Sequence, residues 1–322
     1  MNPTRYTPVS ISLGSLFCLA LWVRDFIGLR VGNATVRYVI SPTYGVSVEA
    51  MPRLLLLLLT LGLVVVNALL LAQLFFRIDA THTRIFLPSF LYALTFSALP
   101  QTHTNLNLQL IISILFGLAF LLNTLWKKND VAEASFVSGL LLSVGHLFSP
   151  ALLIMLPVVW LLIAIEIKRL SLRSIVASTI GYSLIFVRPL IQLTLNGSAT
   201  SVYAPLTQQA AWFSLPTGQL RWTYIIVFTL LALISIINYW RNNYQAGNRT
   251  RTMLETLQIA LLIALAALVI LPGNNDDIMF VFITISVSLL AYHFITSDTR
   301  ISTALYIIYI VCCVCHAVFY PT

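Results

Sequence analysis

From Leu54 to Phe76 the chain runs without a single charge, and Trp222 to Trp240 is a second such run. Roughly 20 apolar residues cross a bilayer core as a helix. Lipid offers no hydrogen-bond partners, so each run must close its own backbone bonds. Helices or a closed barrel meet that demand, and no stretch shows the roughly ten-residue alternating segments of an outer-membrane barrel. Of 322 residues, 59% are hydrophobic and 9% charged, against roughly a quarter charged in a soluble domain. No aqueous fold could hide that much apolar surface.

Apolar runs set against charged or Pro/Gly-rich breaks predict an all-α polytopic transmembrane helical bundle, with residues 1–322 as a single integral membrane domain. About eleven spans are expected, near 9–25, 54–76, 85–100, 107–126, 134–148, 151–166, 174–195, 222–240, 256–272, 278–296 and 301–319. The first run follows Arg5 and has the length of a signal peptide, but Arg24 and Asp25 stand where a small-residue cleavage site would be, so it reads as a retained span. Ala134 to Phe148 and Ala151 to Glu166 are short, and Ser149-Pro150 between them predicts a tight hairpin of two helices. Gly181 is expected to let its helix approach a neighbour closely.

The formal charge is +8, yet the eighteen Lys and Arg residues are spread singly or in pairs through short loops, which speaks against a nucleic-acid partner. With the amino terminus in the cytoplasm, twelve of the eighteen fall inside: Arg5, Arg77, Arg84, Lys127, Lys128, Lys168, Arg169, Arg173, Arg241, Arg249, Arg251 and Arg300. The positive-inside rule therefore predicts the N-terminus in and the C-terminus out. Two long external loops follow, 26–52 and 196–220, and loops of that length are usually functional. Cys18, Cys312, Cys313 and Cys315 lie within apolar runs and read as small hydrophobes rather than metal ligands. There is no internal repeat, Walker motif, nucleotide fingerprint or metalloprotease helix, so neither a cofactor nor a metal is expected.

Arg24, Asp25, Arg30, Arg37 and Arg53 stand out because they place four arginines and an acid on the side the charge rule leaves poor in cations. Interfacial arginines commonly pair with nearby acids and lipid phosphate. Their planar forks also suit the phosphate of a lipid-linked substrate, and Asp25 at the end of the first span would then act as a general base. Arg188, in an apolar stretch before Pro189, either snorkels to the surface or serves a site. His146 is read as a packing residue or, if it shares a cavity with Arg188, as a proton-transfer group. Asp276 and Asp277 read as a solvated turn that caps a helix.

From about Thr60 to Pro189 the chain resembles a family of multi-spanning inner-membrane proteins of Bacteroidota known only as a domain of unknown function. The matching features are Asn67 in the second span, Pro88-Ser89-Phe90-Leu91-Tyr92, the turn Lys127-Lys128-Asn129-Asp130, the short span Phe136 to Phe148, and Lys168-Arg169 before a span containing Gly181. That resemblance implies the bacterial inner membrane and no particular activity. The chain is also loosely similar to the C-type glycosyltransferase fold, which takes a sugar from a polyprenyl carrier on the external face. This likeness rests on Asp25 just after the first span, a long first external loop and short spans with basic inner turns. The second acidic residue of that pattern is absent, so only Asp25 carries over.

Three functions follow as expectations. The first is a glycosyltransferase-like enzyme acting on a polyprenyl-linked sugar at the periplasmic face. The second is a non-enzymatic membrane subunit of an envelope assembly, such as a secretion or motility machine, with other membrane proteins as partners; its support is the scarcity of polar residues within the spans. A transporter is the third. Membrane lipids are the expected surroundings in each case.

Overall fold

The computed structural model describes residues 8–28, 35–41, 46–77, 86–99, 102–125, 131–149, 152–153, 155–164, 170–187, 191, 219–242, 248–270, 276–296 and 300–319. Helices form in every one of the expected apolar runs. They are α1 (Pro8–Gly28), α2 (Arg53–Arg77), α3 (Phe86–Ser97), α4 (Leu106–Leu125), α5 (Val131–Phe148), α6 (Met155–Leu162), α7 (Leu172–Ser183), α8 (Gln219–Asn242), α9 (Asn248–Ile270), α10 (Asp276–Thr296) and α11 (Arg300–Phe319). Five of them, α2, α4, α5, α9 and α10, are long and apolar enough to cross a membrane. The chain is thus an all-α protein with the character of an integral membrane protein.

Part of the first long loop, 26–52, is ordered as a pair of strands. Thr35–Ser41 (β1) and Val46–Pro52 (β2) pair antiparallel, Tyr38 opposite Val48 and Val39 opposite Ser47, with irregular register on either side. Thr35, Val36, Tyr38, Val39 and Ile40 are residues that favour an extended backbone. The second strand runs directly into α2 at Arg53, so the hairpin extends that helix beyond its head.

Helix α10 is the axis of the larger core. It packs against α3, α4, α8, α9 and α11, and 89% of its apolar window is buried. A helix apolar all round belongs in an interior. Its hydroxyls do not disturb this, because Thr284, Ser286 and Ser288 donate to the carbonyls of Phe280, Phe282 and Thr284, each four residues back. A second core unites α4 to α7 through Leu118, Leu142, Val159, Ile163, Tyr182 and Ile185.

Helices α5 and α7 approach most closely. A Cβ added at Gly139 would strike the Ser178 carbonyl, and one at Gly181 would strike the Phe136 carbonyl. Gly181 therefore acts as the sequence suggested, and Gly139 is its counterpart across the seam. Small residues at such a crossing let two backbones touch in lipid. Helix α7 begins on a reciprocal cap, in which the Ser174 amide donates to Ser171 Oγ and the Ser171 amide to Ser174 Oγ.

Helix α3 is short, twelve residues, or about 18 Å. The turn that follows it therefore stops short of the head of α2. Asn67, fourteen residues into α2, bonds Gln109, only three residues into α4. Helix α4 thus begins roughly 16 Å below the head of α2, and the hairpin lies over that recess.

Candidate functional site

The recessed turn between α3 and α4 buries a group of polar side chains, Ser97, Thr102 and His103. Trp22, from the last turns of α1, stacks on His103 with ring centroids 3.8 Å apart and 19° between planes. The Trp22 indole N–H donates to Ser97 Oγ at 3.0 Å, and His103 Nε2 lies 3.1 Å from the Ser97 carbonyl oxygen. Thr102 Oγ1 donates to the carbonyls of Phe96 and Leu99 and closes the turn. Trp22 and His103 are each only 1% exposed, so a stack of a polar ring on an indole is wholly enclosed.

Tyr38 fastens the hairpin to this turn. Tyr38 Oη donates to Asn107 Oδ1 at 2.9 Å and accepts the Asn107 amide N–H at 2.7 Å. Asn105 Oδ1 accepts the next amide, that of Leu108. The first turn of α4 is therefore capped partly by its own sequence and partly by β1.

One turn deeper, α2, α3 and α4 share a second group. Asn67 Nδ2 donates to the Gln109 carbonyl at 2.9 Å and to Gln109 Oε1 at 3.1 Å, while Tyr92 Oη donates to the same Oε1 at 2.9 Å. Ser113 Oγ donates to Asn67 Oδ1 at 2.6 Å. Two donors on Oε1 fix the orientation of the Gln109 amide. Its Nε2 is left buried and without an acceptor. A buried amide donor is ordinarily satisfied by protein or water, so this atom suits an acceptor oxygen of a bound molecule.

The topology gathers most of the sequence candidates at this end. Arg24 and Asp25 stand in α1 within one turn of Trp22, Arg37 stands in β1 beside Tyr38, and Arg53 is the half-buried first residue of α2. The side chains of Arg24, Asp25 and Arg37 lie outside the described residues, as do Arg30 and Arg188 altogether. His146 is placed elsewhere, in the α5–α7 seam, where its Nδ1 meets Tyr182 Oη at 2.7 Å and the two rings stand edge to face. Trp160 donates to Ser178 Oγ in the same seam. Helix α5 also borders β1, which brings the seam to the flank of the hairpin.

His103, Ser97, Asn107 and Gln109 were not singled out in the sequence. Their signal is the polar segment Gln101-Thr102-His103-Thr104-Asn105, which reads as an ordinary loop between two spans. The scarcity of polar residues within the spans also needs revision, because Asn67, Tyr92, Thr95, Ser97 and Gln109 are buried together. Among the described residues no three His, Cys, Asp or Glu side chains gather as metal ligands. No family model, characterised protein or solved structure matches the chain.

Proposed function

We propose that this integral membrane protein holds the phosphate of a lipid-linked sugar at its hairpin end and transfers the sugar there, at the periplasmic face of a bacterial inner membrane. In the reaction the acceptor hydroxyl oxygen bonds to the anomeric carbon as the bond to phosphate breaks. The phosphate leaves with the bonding electron pair, and Asp25 takes the hydroxyl proton. Arg24, Arg30, Arg37 and Arg53 supply guanidinium groups for the phosphate.

One observation carries the reading. Arg24 and Asp25 follow Trp22 in α1, and Arg37 precedes Tyr38 in β1, so their backbone is next in sequence to residues that bond the recessed turn, with Arg53 at the head of α2. Polar side chains inside a membrane protein are costly, and they concentrate where a substrate or ion is handled. His146, bonded to Tyr182, serves the α5–α7 seam in this reading.

A second reading has its own support. Most polar groups of the cluster are bonded to one another, which suits a rigid non-enzymatic subunit that presents its hairpin to an envelope assembly. Profiling envelope glycans in strains carrying Asp25→Asn and Arg37→Ala, alongside the amount of folded protein, separates the two. Asp25→Asn is expected to abolish transfer with the carrier still bound, and Arg37→Ala to weaken carrier binding by about 1.5–3 kcal/mol. A normal glycan profile from Asp25→Asn at wild-type abundance would sink the transferase and leave the subunit.

A further inference from the structure

We propose that the β1–β2 hairpin is a hinged lid over the recess above α4, that Tyr38 is its latch, and that its opening admits water-borne ligands to the polar group enclosed beneath. The inference concerns access to the recess and stands under either reading of the function. The hairpin is joined to the bundle by chain and by side chain. Strand β2 runs directly into α2 at Pro52-Arg53. Tyr38 Oη donates to Asn107 Oδ1 at 2.9 Å and accepts the Asn107 amide N–H at 2.7 Å. Strand β1 also borders α5, a flank the hairpin leaves as it opens.

The sheet is shaped for the latch rather than for its own permanence. A two-stranded hairpin is marginal by itself in water. Its register shifts between Val36 and Tyr38 and again between Val39 and Ser41, so Tyr38 stands beside an irregularity on either side. Such irregularities bend a strand and re-aim a side chain, and the side chain here is the one that reaches α4. At the far end of the ladder Thr35 pairs with Pro52, which has no N–H to give. Pairing is thus weakened where β2 turns into α2, the place a hinge requires.

Beneath the latch the closed form carries an unmet demand. Gln109 lies two residues beyond Asn107 on α4, fully buried, and its Nε2 has no acceptor among the described residues. The amide cannot turn round to find one. Asn67 Nδ2 and Tyr92 Oη both donate to its Oε1, and Asn67 is itself held by the Gln109 carbonyl, so a flip would set Nε2 against two donors.

The two features pull in opposite directions. The bonds of Tyr38 favour the closed form, and a buried donor left unpaired disfavours it. Opening removes the Tyr38 cap from the Asn107 amide, loosens the first turn of α4, and lets an acceptor oxygen approach Gln109 Nε2. Closed and open forms therefore lie near balance, and a ligand that bonds Gln109 shifts the population toward the open one. The side chains of this group, Asn67, Tyr92, Gln109 and Ser113, are all neutral, so they suit a hydroxyl or a carbonyl rather than an ion.

Ser97 can report the motion, because it is buried in the recess, where its Oγ accepts the Trp22 indole N–H. The test uses the full-length chain in phosphatidylethanolamine–phosphatidylglycerol nanodiscs, with Cys18, Cys312, Cys313 and Cys315 replaced by alanine and Ser97→Cys introduced. The rate of reaction with a water-soluble maleimide measures the open fraction. With Tyr38 in place, labelling should be much slower than that of an exposed thiol. Tyr38→Phe should raise the rate about tenfold. Asn107→Ala should give part of that rise, and adding it to Tyr38→Phe should give nothing further, since the two share one interaction. Ser286→Cys, fully buried in α10, should stay slow throughout. A Ser97→Cys rate that Tyr38→Phe leaves unchanged would overturn the proposal. So would Ser286→Cys reacting faster in step, which is general loosening, or Ser97→Cys reacting like an exposed thiol while Tyr38 is present, which means that no closed form exists.

Discussion

The α2–α4 group and the α5–α7 seam hold helices together by opposite means. In the first, long polar side chains bridge gaps between helices: Asn67, Gln109, Tyr92 and Ser113 tie three helices through directed bonds. In the second, glycines remove the gap, and Gly139 and Gly181 each lie against the facing backbone. A side-chain bond in lipid can be lost singly, since its partners find other donors or water. A backbone contact is all or nothing, because a bulky residue drives the helices apart along their length.

The largest expected effect follows from that difference. Gly139→Leu or Gly181→Leu should destabilise the protein by about 3 kcal/mol or more, read as a loss of folded fraction on detergent solubilisation. An unchanged melting profile would mean that the seam yields to bulk and the contrast is false. Asn67→Leu should cost less, about 1–2 kcal/mol, in denaturant unfolding in micelles. A cost equal to that of the glycine variants would show that the polar group is as rigid as the seam. The smallest effect is that of Tyr38→Phe, about 0.5–1.5 kcal/mol. It should raise amide exchange in β1 and β2 while α5 and α7 stay protected. Equal loosening of the seam would show that the two regions act as one.

Much of this was legible in the sequence, for definable reasons. Helices follow from long uncharged runs, because lipid leaves the backbone no other solution, and the run Leu54 to Phe76 fixes α2 almost to the residue. Gly181 was legible as a close approach, but its counterpart Gly139 was not, since partner choice depends on three-dimensional register. The hairpin escaped notice because the alternation Thr35 to Ile40 is brief and its central Arg37 reads as loop chemistry. The recess above α4 was hidden for a further reason. Nothing in twelve apolar residues of α3 states that the helix stops early, so the polar segment after it looked like surface chain rather than an enclosed turn. Arg24, Asp25, Arg37 and Arg53 were grouped by sequence proximity, and the same proximity carries them to one end of the bundle.

The enclosure of α10 has a consequence for biogenesis. A ribosome delivers this helix after α3 and α4 have entered the membrane. The surfaces of those helices that finally meet it, such as Phe96 against Phe280, must wait in lipid or against an insertion factor. Because Thr284, Ser286 and Ser288 are bonded within their own helix, the hydroxyls of α10 are satisfied before it reaches its slot, whereas the buried ring nitrogens of His293 have no partner among the described residues. Synthesis interrupted before Asp276 would leave an arch of helices without its keystone, an immature form that membrane quality control can recognise.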